Sequence, residues 1–343
     1  MVYGVDRISR LPCDVIDKIL VHMPLRDAVR TSALSWEWRY KWVTIPDLVF
    51  DQNLKGLLNG NDDPESIVDR TLLLHKGAIT KFSITDSWIK SRSAVSSWLF
   101  ILSDRGINSL EFLFPCKNSL QPTIIRLVTF NHLKHLYIGN DCEVKLSPLF
   151  RGFNRLARLE LVGVNIKLQV LEILLSKCPM LEYLNLKIHV DVGDDEMKEL
   201  PNKLNFLTVL EIGEIDFGWV ESVAVLITLI KSSPNLQSLK ISSDTYYNEN
   251  CVKEYLKEQR TLNVRLKCLE YVNIHVVMGY PAEMEFVKNL LKLGNALKKV
   301  EMDSPLSSTD LDVSSMLEEF ASFQRASSSS KAEIIVNTRY FGF

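Results

Sequence analysis

The sequence predicts an α/β repeat fold, with parallel strands stacked side by side, helices over one face, and a small helical element in front. Three observations carry that expectation. A six-residue apolar pattern recurs nine times, helical stretches separate the recurrences, and a tryptophan-rich, proline-punctuated segment precedes the first.

The pattern is apolar-x-x-apolar-x-apolar. It reads Ile79-Thr-Lys-Phe82-Ser-Ile84, Ile107-Asn-Ser-Leu110-Glu-Phe112 and Leu133-Lys-His-Leu136-Tyr-Ile138. It continues through Leu156 to Leu161, Leu181 to Leu186, Leu207 to Ile212, Leu236 to Ile241, Leu269 to Ile274 and Leu297 to Met302. Successive starts are 28, 26, 23, 25, 26, 29, 33 and 28 residues apart. One hexad proves nothing; nine at this spacing mark a leucine-rich repeat. The alternating end of each hexad is a short strand whose apolar residues face one way. A lone strand cannot bury that face, so stacked neighbours build one continuous core.

Between hexads, Leu168 to Lys177 and Glu221 to Ile230 carry apolar residues at three- and four-residue steps, as a helix packed on a sheet requires. Pro179 and Pro234 stop these helices before the next strand. The polar, Gly/Asn-rich segment Asp51 to Asp63 reads as the joint before the repeats. The serine run Ser327 to Ser330 precedes a terminal strand, Ala332-Glu-Ile-Ile-Val336.

Composition narrows the function classes. The chain has 343 residues, 46% hydrophobic and 24% charged, and a net charge of −2. That is ordinary globular composition and argues against a strongly basic nucleic-acid surface. The longest apolar run is about eight residues against the ~20 a spanning helix needs. Met1 to Arg10 has no apolar stretch of a secretory signal. The six cysteines, Cys13, Cys116, Cys142, Cys178, Cys251 and Cys268, never approach CxxC spacing. Reduced thiols in the nucleus or cytoplasm are expected.

Residues 6 to 45 read as three short helices. The first follows Pro12 and carries the stripe Ile16, Ile19, Leu20, Met23, and Pro24 ends it. The second carries Leu25, Ala28, Val29 and Ala33. The third carries Trp36, Trp38, Tyr40 and Trp42, with Arg39 and Lys41 between them. So large an aromatic load on some 40 residues must pack on the first repeats or face a partner.

The run Asp6-Arg-Ile-Ser-Arg-Leu-Pro-Cys-Asp-Val-Ile-Asp-Lys-Ile-Leu20, with Met23 to Ser35 and Trp38-Arg-Tyr-Lys-Trp42, resembles the F-box of plant F-box proteins. Val68 to His75 resembles the start of that family's leucine-rich repeats. Leu266 to Val272, Glu285 to Leu291, Asn295 to Val300 and Arg325 to Ser328 resemble its C-terminal FBD region. Two departures are Trp36-Glu37, where the family has a basic or small pair, and the missing Cys-Pro element before the FBD. The resemblance implies an F-box over 6–50, a linker over 51–78, leucine-rich repeats over 79–261 and an FBD-like region over 262–336. The fold it implies has parallel strands on a concave face, helices outside and a closing C-terminal cap. It further implies docking to a Skp-type adaptor, and through it to a cullin ubiquitin ligase, with a protein substrate held on the repeats. The docking positions map onto Leu11, Pro12, Ile16, Ile19, Leu20, Pro24, Leu25, Val29 and Leu34. The alternative is a repeat scaffold whose F-box does not function.

Catalytic and cofactor motifs are absent. The sequence has no GxxxxGK[ST], GxGxxG or GxSxG, so no cofactor is expected. His132 and His135 lack a metal-spaced partner set, and Asp191, Asp194, Asp195 and Glu196 read as first-turn acids of a helix. What remains is binding. Two outward columns follow from the hexads. One is Lys81, Ser109, His135, Arg158, Tyr183, Val209, Ser238, Tyr271 and Lys299. The other is Ser83, Glu111, Tyr137, Glu160, Asn185, Glu211, Lys240, Asn273 and Glu301. Their mixed charge suits a protein rather than a phosphate-rich ligand. Tyr137, Tyr183 and Tyr271, with Arg158 and Lys240, are the expected substrate contacts, tyrosine being enriched at binding hot spots.

Overall fold

The computed structural model describes residues 8, 11–52, 54, 63–85, 92–114, 123–191, 200–244, 250–258, 266–275, 279–293, 296–305 and 332–339. They belong to two compact units, residues 1–156 and 157–343. Most of the joint Asp51 to Asp63, the acids Asp194 to Glu196, Cys116 and the serine run Ser327 to Ser330 lie outside the described residues.

The first unit opens with α1 (Cys13–Val21) and α2 (Leu25–Arg30), each set off by a preceding proline, Pro12 and Pro24. Two short 3-10 turns follow, Thr31–Ala33 and Lys41–Thr44. The third expected helix is therefore replaced by turns. Trp38 N–H bonds to Ser35 O and Lys41 N–H to Trp38 O, both at 3.2 Å and both three residues back. Aromatic side chains favour the α-helix weakly, and here burial chooses the backbone instead. Trp38 and Trp42 are buried, at 2% and 8% exposure, while Trp36 and Tyr40 stand at 81% and 60%. The rest of the unit is β1 (Asp47–Phe50), α3 (Pro64–Leu74), β2 (Lys81–Thr85), α4 (Arg92–Ser103), β3 (Ser109–Leu113), β4 (Thr123–Leu127) and β5 (His135–Leu146).

These strands form a parallel sheet in the order β1-β2-β3-β5, with β4 paired to the second half of β5. Phe50, Phe82 and Phe112 interlock inside it, with ring centroids 5.6 and 5.8 Å apart. Each such ring, wholly buried, contributes about 1.5–3 kcal/mol. Trp98 of α4 is also buried and donates its indole N–H to Asp69 at 2.7 Å.

The second unit holds β6 (Arg158–Lys167), α5 (Leu168–Ser176), β7 (Tyr183–Asp191), β8 (Val209–Ile215), α6 (Val220–Ser232), β9 (Ser238–Ser243), α7 (Asn250–Glu258), β10 (Tyr271–His275), α8 (Pro281–Leu293), β11 (Lys299–Pro305) and β12 (Glu333–Arg339). Its sheet is parallel and in sequence order from β6 to β12. Leu159, Leu184, Leu210, Leu239, Val272 and Val300 share one register line and are all buried. Proline at the first position of α8 suits a helix start. Glu283 of its first turn accepts the Tyr280 N–H at 3.2 Å and the Ser243 hydroxyl at 2.8 Å, which explains a carboxylate only 3% exposed.

All nine hexads become strands, each beginning at the hexad's third residue. One device sets that point. The carbonyl of the hexad's second residue accepts two consecutive N–H groups from the next repeat. Thr80 O takes those of Asn108 and Ser109, Glu182 O those of Thr208 and Val209, and Gln237 O those of Glu270 and Tyr271, all at 2.9–3.2 Å. The sequence reading missed β1. Its signal was present: Ile45-Pro-Asp-Leu48-Val-Phe50 is a tenth hexad, and Pro46 O accepts from Thr80 and Lys81 in the same way. Residues 47–50 therefore pair as a strand of the repeat sheet, although they fall inside the span assigned to the F-box.

Candidate interaction surfaces

The N-terminal element folds around its own core. Ile16, Leu20, Leu25 and Ala28 are 0–4% exposed, and Trp38, Trp42 and Val43 close over them. The nine expected docking positions thus divide. Ile16, Leu20 and Leu25 face inward and hold the helices together. Leu11 and Val29 are half-buried. Pro12 and Pro24 are exposed, as are Ile19 at 39% and Leu34 at 56%. The structure adds exposed apolar residues that the sequence reading did not assign to docking, Ile8, Val21, Trp36 and Tyr40. Their signal was spacing: Trp36 and Tyr40 are four apart and out of phase with the buried Trp38 and Trp42. The Arg39 guanidinium lies over the Trp36 ring at 4.6 Å and near Tyr40 at 5.8 Å, holding both rings upright. These large apolar side chains are exposed on a folded element, and exposed apolar surface of that kind suits a partner contact.

The repeats present a different surface. The two outward columns hold register within each unit: Lys81 opposite Ser109 and His135, Ser83 opposite Glu111 and Tyr137, Arg158 opposite Tyr183 and Val209, and Glu160 opposite Asn185 and Glu211. In the first unit Glu111 gathers Lys81 Nζ at 2.8 Å, Ser83 Oγ at 2.9 Å and His135 Nδ1 at 3.6 Å. Burial alone would raise its carboxyl pKa. The hydrogen bonds from Lys81 and Ser83 and the charges of Lys81 and His135 outweigh burial and hold it below the ordinary value. Tyr137 is half-buried, and its ring lies over Gly139, where a Cβ would meet the phenol oxygen at 2.8 Å.

In the second unit one polar chain crosses four strands. Arg158 Nε donates to Glu160 at 2.6 Å, and its guanidinium lies 3.6 Å from the centre of the Tyr183 ring. Tyr183 hydrogen-bonds Glu211, which also takes Lys240 Nζ at 2.6 Å. Burial, reinforced by the Glu211 bond, pushes the Tyr183 hydroxyl up to about 12. Farther along, Tyr271 and Lys299 both hold Glu301. The Lys299 bond, then the Tyr271 bond, draws that carboxyl down to about 2. Asn273 donates to Tyr271 and Glu301 at 3.2 Å each. Asn185 Oδ1 and Asn273 Oδ1 are buried with no hydrogen-bond partner among the described residues.

The five expected substrate contacts therefore lie on one strand face of their units, but they are not loose side chains. Arg158, Tyr183, Lys240 and Tyr271 are tied to neighbouring glutamates. The rule is legible in retrospect: a donor at the hexad's third position meets a glutamate at the fifth position of the next hexad, as in Lys81–Glu111, Tyr183–Glu211 and Tyr271–Glu301. Among the described residues, His132 and His135 included, no group of three or more His, Cys, Asp or Glu is placed to hold an ion. Among those residues no helix is long and apolar enough to cross a membrane.

Comparison with known proteins agrees with this architecture. The F-box domain family model matches residues 8–48. The model for the LRR repeats of FBD-associated F-box protein At5g56370 matches residues 95–198. The F-box/FBD/LRR-repeat protein At1g13570 of Arabidopsis thaliana is 28% identical, covering 91% of this chain and 94% of its own length. The F-box/LRR-repeat protein At4g14103 of the same plant is 29% identical over 83% of this chain and 73% of its own.

Proposed function

We propose that this chain, which joins an F-box to leucine-rich repeats as plant F-box/FBD/LRR-repeat proteins do, is the substrate-recognition subunit of a Skp–cullin–F-box ubiquitin ligase. F-box domains generally bind Skp-type adaptors of cullin ligases, and one observation carries the reading here. The matched F-box is folded by its own buried core yet leaves Pro12, Ile19, Pro24, Leu34 and Trp36 outside it. That apolar surface suits a permanent protein contact.

The division of labour follows. The F-box holds the adaptor, and the outward columns of the repeats select a protein substrate. The chain supplies position rather than bond chemistry; ubiquitin transfer belongs to other subunits of the complex. The C-terminal strands, β12 among them, serve as the cap of the repeat sheet. The setting is the nucleus or cytoplasm, which Cys13, Cys142, Cys178 and Cys268, thiols in no disulfide, support.

Co-expression with a Skp-type adaptor, followed by gel filtration, tests the reading. A one-to-one complex that is lost in Pro12→Ala/Leu34→Ala, with the variant's thermal unfolding unchanged, is the expected result. A folded chain that ignores every adaptor offered leaves the alternative, a repeat scaffold acting outside ubiquitination.

A further inference from the structure

The ends of β7 and β8 enclose a pocket of about 430 Å³ between the strand tips and the start of α6. Its size lies within the roughly 300–1,000 Å³ of ligand sites. The backbone makes the space. The β7–β8 pairing ends at Lys187 opposite Gly213, and the β8–β9 register shifts between Ile212 and Ile215. Glu214 sits there with φ of 60°, in the left-handed region. A tight turn then leads into α6: Gly218 N–H donates to Asp216 Oδ1 at 2.7 Å, and Asp216 N–H to Ser222 Oγ at 3.2 Å.

The lining has two parts. Leu186, Ile188, Ile212 and Ile215 form an apolar floor, and Trp219, 64% exposed, stands at the mouth. The polar part holds three carboxylates, Glu214, Asp216 and Glu221, and one imidazole, His189, whose Nε2 is 3.8 Å from Glu214. The α6 start adds a field of about half a positive charge. The stem of Lys187 crosses over Gly213, where a Cβ would lie 2.5 Å from its Cγ. Neither offsets three carboxylates, so the mouth stays negative. An anion is repelled there. A neutral apolar group would fill the floor but strip water from the carboxylates without replacing it. A cation on an apolar stem satisfies both parts, and a guanidinium can also stack on Trp219 while bonding a carboxylate with two parallel N–H groups.

We propose that this pocket binds an arginine side chain of a partner protein. The source follows from continuity, and here the inference rests on the receptor reading. Gly213, the next outward position after Glu211 on β8, lines the pocket, so the outward column of that strand ends at its edge.

The test uses the purified full chain and the acetylated, amidated peptide Ser-Gly-Leu-Arg-Leu-Gly-Ser, with titration followed by calorimetry and tryptophan fluorescence. The comparison peptide carries citrulline, the neutral isostere, in place of arginine. Saturable binding is expected, at least tenfold weaker for citrulline and for Glu214→Gln/Glu221→Gln, with the Trp219→Phe variant losing the fluorescence change. Equal binding of both peptides, binding unchanged by the double substitution, or no saturable binding overturns the assignment. Free 4-phenylbutylamine binding as tightly as the peptide overturns the protein source. Circular dichroism of the variants separates lost binding from lost fold. Adaptor co-purification on the same preparation separates the two readings: peptide binding without adaptor binding sinks the ligase role and leaves the pocket.

Discussion

The F-box surface and the outward face of the repeats solve opposite problems. The first leaves Leu34, Trp36 and Tyr40 largely uncovered. The second leaves few large apolar side chains exposed and ties its charges to one another, Glu111 to Lys81 and Ser83, Glu211 to Tyr183 and Lys240. Covering the first gains free energy in proportion to area, whatever the partner's fine detail. Covering the second requires a partner that replaces each bond it disturbs, since an unpaired buried charge or donor costs more than a bond returns. On the proposed reading, the first surface holds and the second discriminates.

The largest effect should come from the buried side of this divide. Trp38→Ala is expected to cost about 3–5 kcal/mol in urea unfolding of the first unit. Trp36→Ala, two residues away, should change stability by no more than about 0.5 kcal/mol. Equal losses would erase the distinction between core and surface in the F-box. Next, Leu34→Ala/Trp36→Ala should weaken adaptor binding by about thirtyfold, the scale of a hot-spot loss near 2 kcal/mol. Arg158→Ala/Lys240→Ala should leave it within about twofold. Calorimetric titration of the two variants against the adaptor decides whether the faces act separately.

Smaller effects test the wiring of the repeats. The Tyr183 hydroxyl is raised from 10.0 to about 12, so the protonated form belongs to the fold. Its contribution to stability is complete below about pH 10 and is lost as pH climbs through 12. In Glu211→Gln, phenolate absorbance should show one tyrosine titrating closer to 10; an unmoved profile would detach Tyr183 from Glu211. Glu301 runs the other way. Its carboxyl is drawn from 4.5 to about 2, so its stabilisation is present above pH 4.5 and fades as pH falls through 2. The side chain is half-buried at the sheet surface, where solvent screening keeps the effect small, and carbon-13 titration of the Glu301 carboxyl reads it directly. A midpoint above 4 would mean that Lys299 and Tyr271 do not hold it.

Much of this architecture was legible in the sequence, for a physical reason. Hexad spacing encodes strand position because each strand needs Phe82-like and Ile84-like side chains on its inner face, and that requirement survives variable connections. The outward columns were legible by the same parity. The wiring among them was legible only in retrospect, because diagonal reach from Tyr271 to Glu301 depends on side-chain length rather than on strand order. The division of the F-box was not legible. Ile16 and Ile19 are equally apolar, and only the folded element shows the first covered, at 2%, and the second not, at 39%. The pocket had no signature at all, since it arises from the left-handed turn at Glu214, a residue that rarely takes that conformation.

At most strand starts of the repeats one carbonyl accepts two N–H groups from the next repeat. It measures the repeat at its beginning, so the 23 to 34 residues from one hexad start to the next need not be counted by anything else. Loops and helices can lengthen or shorten without shifting the strands, and outward residues can change without shifting the loops.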